Sequence, residues 1–273
     1  MKHLKIGFIG AGNMARSIIG GLIEQGVPAS NLRASDPSEE CLQQLALLGP
    51  VVTSVENREA VQGSDVVVLA VKPQVMNAVT SDIREAVDAQ GALVISIAAG
   101  ITLSSLEAGL GTGTPIVRCM PNTPALLRSG ATALYANSAA AAEQRELAEA
   151  ILAAVGSVCW VEEESMLDAV TALSGSGPAY FFLFMEAMSA AGEQLGLDAE
   201  TSRSLAIQTG LGACQMAAEG EVELEELRRR VTSPGGTTAA ALQSFEEADL
   251  RGTIESAMRA AAARAAEMAR DMG

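Results

Sequence analysis

Gly10, Gly12 and Ala15 stand at G-x-G-x-x-A spacing, directly behind the apolar run 4–9 and at the head of an amphipathic stretch reaching Gln25. Between a strand and a helix, this spacing binds a dinucleotide. The first glycine permits the tight turn, the second lets the backbone approach a pyrophosphate, and the alanine keeps the helix close to the strand. Asn13 and Met14 open that helix, where free N–H groups favour an anion. Asp36 ends the second strand-like segment, 21 positions after Ala15. An aspartate there takes a ribose 2′-hydroxyl and favours NAD. Ser35 and Arg33 beside it suit a 2′-phosphate instead, and Asp-Pro-Ser also starts a turn by itself.

Further along, Ala70, Val71, Lys72 and Pro73 close a long apolar run. In doubly wound sheets ligands lie beyond the carboxyl ends of the strands, so Lys72 serves either a cofactor phosphate or a strand-end cap. Ser96 to Gly100 is a run of small residues, and Ala98 within it leaves room for a flat nicotinamide ring. Asn122 sits in a loop stiffened by Pro121 and Pro124, and we count it with the cofactor residues. Ser233, Gly235, Gly236, Thr237 and Thr238 open a helix, where N–H groups around glycine make an anion nest suited to a substrate carboxylate; a plain capped helix start is the alternative. Ser176 and Pro178 belong to a second cluster of this kind, where close packing is an equal explanation.

What is scarce narrows the chemistry. His3 is the only histidine, and of the three lysines only Lys72 lies beyond residue 5. A Ser-His-Asp triad, a histidine metal site and a histidine base are thereby excluded, and no metal is expected. The net charge of −15 argues against nucleic acid and anionic membrane, and 3% aromatics against base stacking. No run nears the roughly 20 apolar residues of a membrane helix. The basic first residues precede an apolar stretch too short for a secretory signal. The four scattered cysteines read as reduced thiols, and the expected compartment is the cytoplasm.

These residues need a scaffold. Residues 1–162 alternate strand-like and helix-like segments, as βαβ units and a mostly parallel sheet require. After Glu163 the strand-like segments vanish, and Ala, Leu, Met and Glu recur at helical spacing. The reading is an α/β Rossmann-like domain, 1–162, followed by an all-α helical substrate-binding and dimerisation domain, 163–273.

The segments 7–14, 70–73, 96–100, 118–124, 173–180 and 231–238, taken in order, resemble the pyrroline-5-carboxylate reductases. The resemblance implies NAD(P)H-dependent reduction of Δ1-pyrroline-5-carboxylate to L-proline. NADPH is the implied donor, with NADH also used; Asp36, where many members carry a smaller or uncharged residue, pulls towards NADH. It further implies that residues 233–237 hold the substrate carboxylate and that Thr238 faces the ring nitrogen. Ser176 and Glu221 would join the substrate site, Glu221 from a partner subunit, while Asn57 and Ala70 to Pro73 would line the cofactor. A homodimer, and a decamer built from dimers, are the implied assemblies. The nearest rival, a β-hydroxyacid dehydrogenase, needs a general base expected as a lysine in the helical domain, and none follows Lys72. A nucleotide-binding protein without catalysis is the other rival.

Overall fold

The computed structural model describes residues 3–220 and 222–272. Its strands are β1 (Ile6–Ile9), β2 (Leu32–Ser35), β3 (Val52–Ser54), β4 (Val66–Leu69), β5 (Leu93–Ser96), β6 (Ile116–Met120), β7 (Gly130–Ala136) and β8 (Gly156–Trp160). They form one sheet in the order β3-β2-β1-β4-β5-β6-β7-β8. The first six run parallel, β7 turns antiparallel to β6, and β8 follows β7 in parallel. The order of the first six is that of a dinucleotide-binding Rossmann sheet, whose switch point lies between β1 and β4. The expected α/β fold with a mostly parallel sheet is what the chain adopts.

The helices of this part are α1 (Asn13–Glu24), α2 (Glu39–Ala46), α3 (Asn57–Val61), α4 (Met76–Gln90), α5 (Leu103–Leu110), α6 (Ala142–Leu152) and α7 (Met166–Val170). They cover both sheet faces. Val66 and Val68 of β4 join Ile6, Phe8, Ile95 and the α1 and α6 side chains in one buried cluster. Val67 and Leu69 join Ile9, Val94 and the α4 and α5 side chains in another. An unbroken apolar strand is the consequence of burial on both faces. Helix α1 buries Ala15, Ile18, Ile19 and Leu22, a single stripe at helical spacing.

Beyond residue 176 the chain is helical: α8 (Gly177–Gln194), α9 (Ala199–Glu219), α10 (Leu224–Arg230), α11 (Thr237–Glu247) and α12 (Leu250–Met272). A five-residue π-turn, Thr171–Gly175, links α7 to α8. Contacts divide the chain into two compact units, Gly177–Arg259 and the remainder, so the end of α12 belongs with the sheet. Met268 and Met272 pack against Gly100 there. This division lies later than the expected 162/163 boundary, because α7 packs on β6 and β7. The helical unit has almost no interior. Among its described residues before residue 260, only Gly177, Ser202 and Ala206 are buried, while Phe181, Phe182, Leu183 and Leu205 are more than half exposed.

Candidate active site

The turn after β1 is held from three sides. Gly10 has φ +101°, and a Cβ there would lie 2.5 Å from the Ala70 carbonyl oxygen at the end of β4. Glycine is thus required both by conformation and by space. The Gly10 N–H donates to the Ser35 carbonyl at 2.7 Å. The Ala11 N–H donates to Asp36 Oδ2 at 2.8 Å, and the Ser38 N–H to Asp36 Oδ1 at 2.9 Å. Asp36 therefore latches the glycine turn to the end of β2. Gly12 is exposed and N-caps α1 without a side-chain bond, and no acidic residue lies in the first turn. Asn13, Met14 and Ala15 follow at that open helix start, the arrangement that accepts a diphosphate.

Ser35 and Asn57 stand next to this turn. Ser35 is fully buried, and its hydroxyl donates to Asn57 Oδ1 at 2.9 Å. Asn57 Nδ2 donates in turn to Asp82 Oδ2 at 3.2 Å. Both side chains are spent on fixing the β2 end and the start of α3, and the Ser35 hydroxyl faces inward. Val71 and Pro73 are half-buried and Lys72 is exposed. Thus Gly10, Ser35, Asp36, Asn57 and Ala70 form one connected patch at the switch point.

Ala98 is buried in the loop after β5. Ser96, at the end of that strand, is fully buried with no partner for its hydroxyl among the described residues. After β6, Asn122 is 9% exposed. Its Nδ2 donates to the Ser174 carbonyl at 3.0 Å, and its Oδ1 accepts from the Ala131 N–H at 2.9 Å. Ser174 lies in the π-turn, which the Ser176 N–H closes by donating to the Thr171 carbonyl at 2.8 Å. Ser176 itself is half-buried.

In the helical unit, Gly235 has φ +71°, and the Gly236 N–H donates to the Ser233 carbonyl at 3.0 Å. Gly236 N-caps α11 with no side-chain cap. The hydroxyls of Ser233, Thr237 and Thr238 are thus not used as the cap, and all three residues are exposed in the single chain. Glu221 lies outside the described residues.

One charged group inside the first unit has no counterpart in the expected site. Arg118, 6% exposed on β6, donates to Glu164 Oε1 at 2.7 Å. The same oxygen accepts the Leu103 N–H at 2.7 Å at the head of α5. Asp168, nearby on α7, has its carboxyl raised above the ordinary range by burial, with Arg118 opposing and Glu164 adding to the shift. Burial also pushes the Cys119 thiol up, so it stays protonated. Among the described residues no group of three or more His, Cys, Asp or Glu side chains could hold a metal.

Residues 164–268 match the family model "Pyrroline-5-carboxylate reductase dimerisation", and residues 5–100 the model "NADP oxidoreductase coenzyme F420-dependent". The pyrroline-5-carboxylate reductase of Pseudomonas aeruginosa is 55% identical over the full length of both chains. This chain belongs to the pyrroline-5-carboxylate reductase family. A solved reductase of that name from Coxiella burnetii superposes with a TM-score of 0.94 at 45% identity, covering 97% of this chain and 98% of that one. The Plasmodium falciparum pyrroline carboxylate reductase, solved with NADP bound, gives 0.86 at 30% identity, covering 98% and 99%.

For this reductase-family chain, sequence reasoning missed three features of the site's support: the buried Arg118–Glu164 pair, the π-turn and the double commitment of Asn122. Pro178 carried the only signal for the last two. It deprives the residue four positions earlier of a helical N–H.

Proposed function

We propose that this chain reduces Δ1-pyrroline-5-carboxylate to L-proline, with NADPH as principal donor and NADH as a second. Full-length kinship at 55% identity to a pyrroline-5-carboxylate reductase carries this reading. The open helix start at Gly12 and the uncapped start of α11 supply it with an anion cradle in each unit.

The dinucleotide diphosphate rests on the N–H groups at Asn13, Met14 and Ala15, beside Gly10 and Gly12. Ala70 to Pro73 and Ala98 border the nicotinamide half, and Ser35, Asp36 and Asn57 the adenosine half; the Asn122 amide is already spent on Ser174 and Ala131. Bound NADPH supplies a hydride. The substrate carboxylate sits on the N–H groups and hydroxyls of residues 233–237, and Ser176 serves as a further substrate residue. Thr238 accepts from the ring N–H and holds the ring for attack. Hydride adds to the C=N carbon, the C=N electron pair passes to nitrogen, and the iminium keeps its own proton as N–H. No protein base is required, in keeping with a helical half that holds neither lysine nor histidine.

Residues 163–273 hold substrate and partner copy, residues 1–162 the dinucleotide. The exposed apolar helices pair as a homodimer, five of which make a decamer. The enzyme works in the cytoplasm; no helix of the described residues is long and apolar enough to cross a membrane. Turnover of NADPH that depends on pyrroline-5-carboxylate, with proline as product, tests the reading. Turnover only with a 3-hydroxyacid would favour the dehydrogenase instead.

A further inference from the structure

An α-helical carbonyl accepts from the N–H four residues on. Ser174 lies where the π-turn gives way to α8, and there the α-type partner of its carbonyl is Pro178, which has no N–H. A carbonyl left unpaired in a half-buried place is costly, so a donor must come from elsewhere. Asn122 Nδ2 is that donor, at 3.0 Å. The other end of the same amide accepts from the Ala131 N–H at 2.9 Å, at the head of β7. The site demands a donor on one side and an acceptor on the other, and a short primary amide meets both.

We infer that Asn122 is a positioning residue: its amide replaces the N–H that Pro178 lacks and fixes the π-turn 171–175, and thereby Ser176, against the loop after β6. The role follows from the turn's geometry. A π-turn is a rarely populated winding that its surroundings must favour. Two contacts do so here, the Asn122 amide on Ser174 and, from the end of β6, Met120, whose Cε would lie 2.7 Å from a Cβ on Gly175. Asn122 thus acts on substrate through Ser176, not through the dinucleotide. This consequence for catalysis rests on the function proposed above; the mechanical role does not.

Asn122→Ala and Asn122→Asp in the full-length protein test it, with two readouts. The first is amide hydrogen exchange at Ser176 without substrate. It should quicken about tenfold in Asn122→Ala, as loss of one hydrogen bond in a local opening implies. The second is steady-state kinetics. Asn122→Ala should lower kcat/KM for pyrroline-5-carboxylate about tenfold at every pH, leaving the KM for NADPH within about twofold. Asn122→Asp should be worse than Ala at pH 8, where a carboxylate faces the Ser174 carbonyl. It should recover towards the parent as the pH falls to about 5.5, because a buried carboxyl protonates early and its O–H then donates. Unchanged exchange at Ser176 would overturn the inference whatever the activity. So would parental kinetics in both variants, a loss confined to the KM for NADPH, or an Asp variant that tracks Ala across the pH range. A parent protein that fails to reduce pyrroline-5-carboxylate would overturn the proposed function alone, since the exchange result would still stand.

Discussion

Thr238 shows how much a single side chain must be asked to do in a site without a base. It is the second residue of α11, and the helix is capped by Gly236 with no hydroxyl engaged, so a capping role does not account for it. In the proposed mechanism it receives the ring N–H. Losing one hydrogen bond to a charged group costs about 1.5–3 kcal/mol. Thr238→Ala should therefore lower kcat/KM roughly ten- to a hundredfold, at about 1.4 kcal/mol per tenfold, with NADPH affinity unchanged. Thr238→Ser should lose much less, and equal kinetics for all three proteins would remove Thr238 from the site. Asp36 is a subtler case. From sequence it is either a ribose ligand or part of a turn, and its carboxylate holds two backbone N–H groups, at Ala11 and Ser38. Its charge still stands at the end of β2, where a 2′-phosphate would be repelled. Asn in its place keeps one acceptor and removes the charge. The NADPH-to-NADH ratio of kcat/KM should then rise about tenfold, the order expected for one screened charge pair at this range. Kinetics with both cofactors decide it, and a ratio that stays flat would make Asp36 a turn residue only. The glycine turn was legible in the sequence because its spacing falls between an apolar run and an amphipathic stretch. The inward Ser35 hydroxyl was not, since its direction is set by Asn57, 22 residues away.

At the scale of elements, apolar runs and glycine punctuation were enough to locate the central strands and the helical second half. Strand direction was not legible. Residues 131–135 show the same alternation whichever way β7 runs, and only its antiparallel pairing with β6 fixes it. The edge strand β3 is three residues long and carries no apolar run. The end of α12 reads like any Ala- and Met-rich helix, yet it returns to pack on Gly100 in the loop after β5. The head of α5 and the middle of β6 are also tied together by charge, for Glu164 takes both the Arg118 guanidinium and the α5 N–H of Leu103. Breaking a buried pair by removing one partner leaves an uncompensated charge. Arg118→Met should therefore cost about 3 kcal/mol, the low end for such changes because Glu164 keeps its backbone donor. Urea unfolding would read this loss, and parental stability in the variant would mean that the pair carries no structural weight. Asp168 reinforces the argument, since its carboxyl is already raised by burial and would lose the opposing influence of Arg118.

At the scale of the whole molecule, a helical unit that leaves Phe181, Phe182 and Leu183 about 60% exposed is built to be covered. Apolar surface of this extent marks an interface, and the dimerisation family model spans these helices. Light scattering should report at least twice the 28.0 kDa chain mass. Phe182→Asp should shift the protein towards monomer with loss of turnover, whereas an unaltered mass would move the interface elsewhere. The central claim is the proposed reaction itself: NADPH gives a hydride to the imine carbon of pyrroline-5-carboxylate, and the product is L-proline. Mass spectrometry of the product formed from pyrroline-5-carboxylate and NADPH deuterated at the transferred position of the nicotinamide tests this most directly. The account predicts L-proline with one deuterium on the ring carbon bonded to nitrogen. Proline without deuterium, or no proline at all, would contradict it.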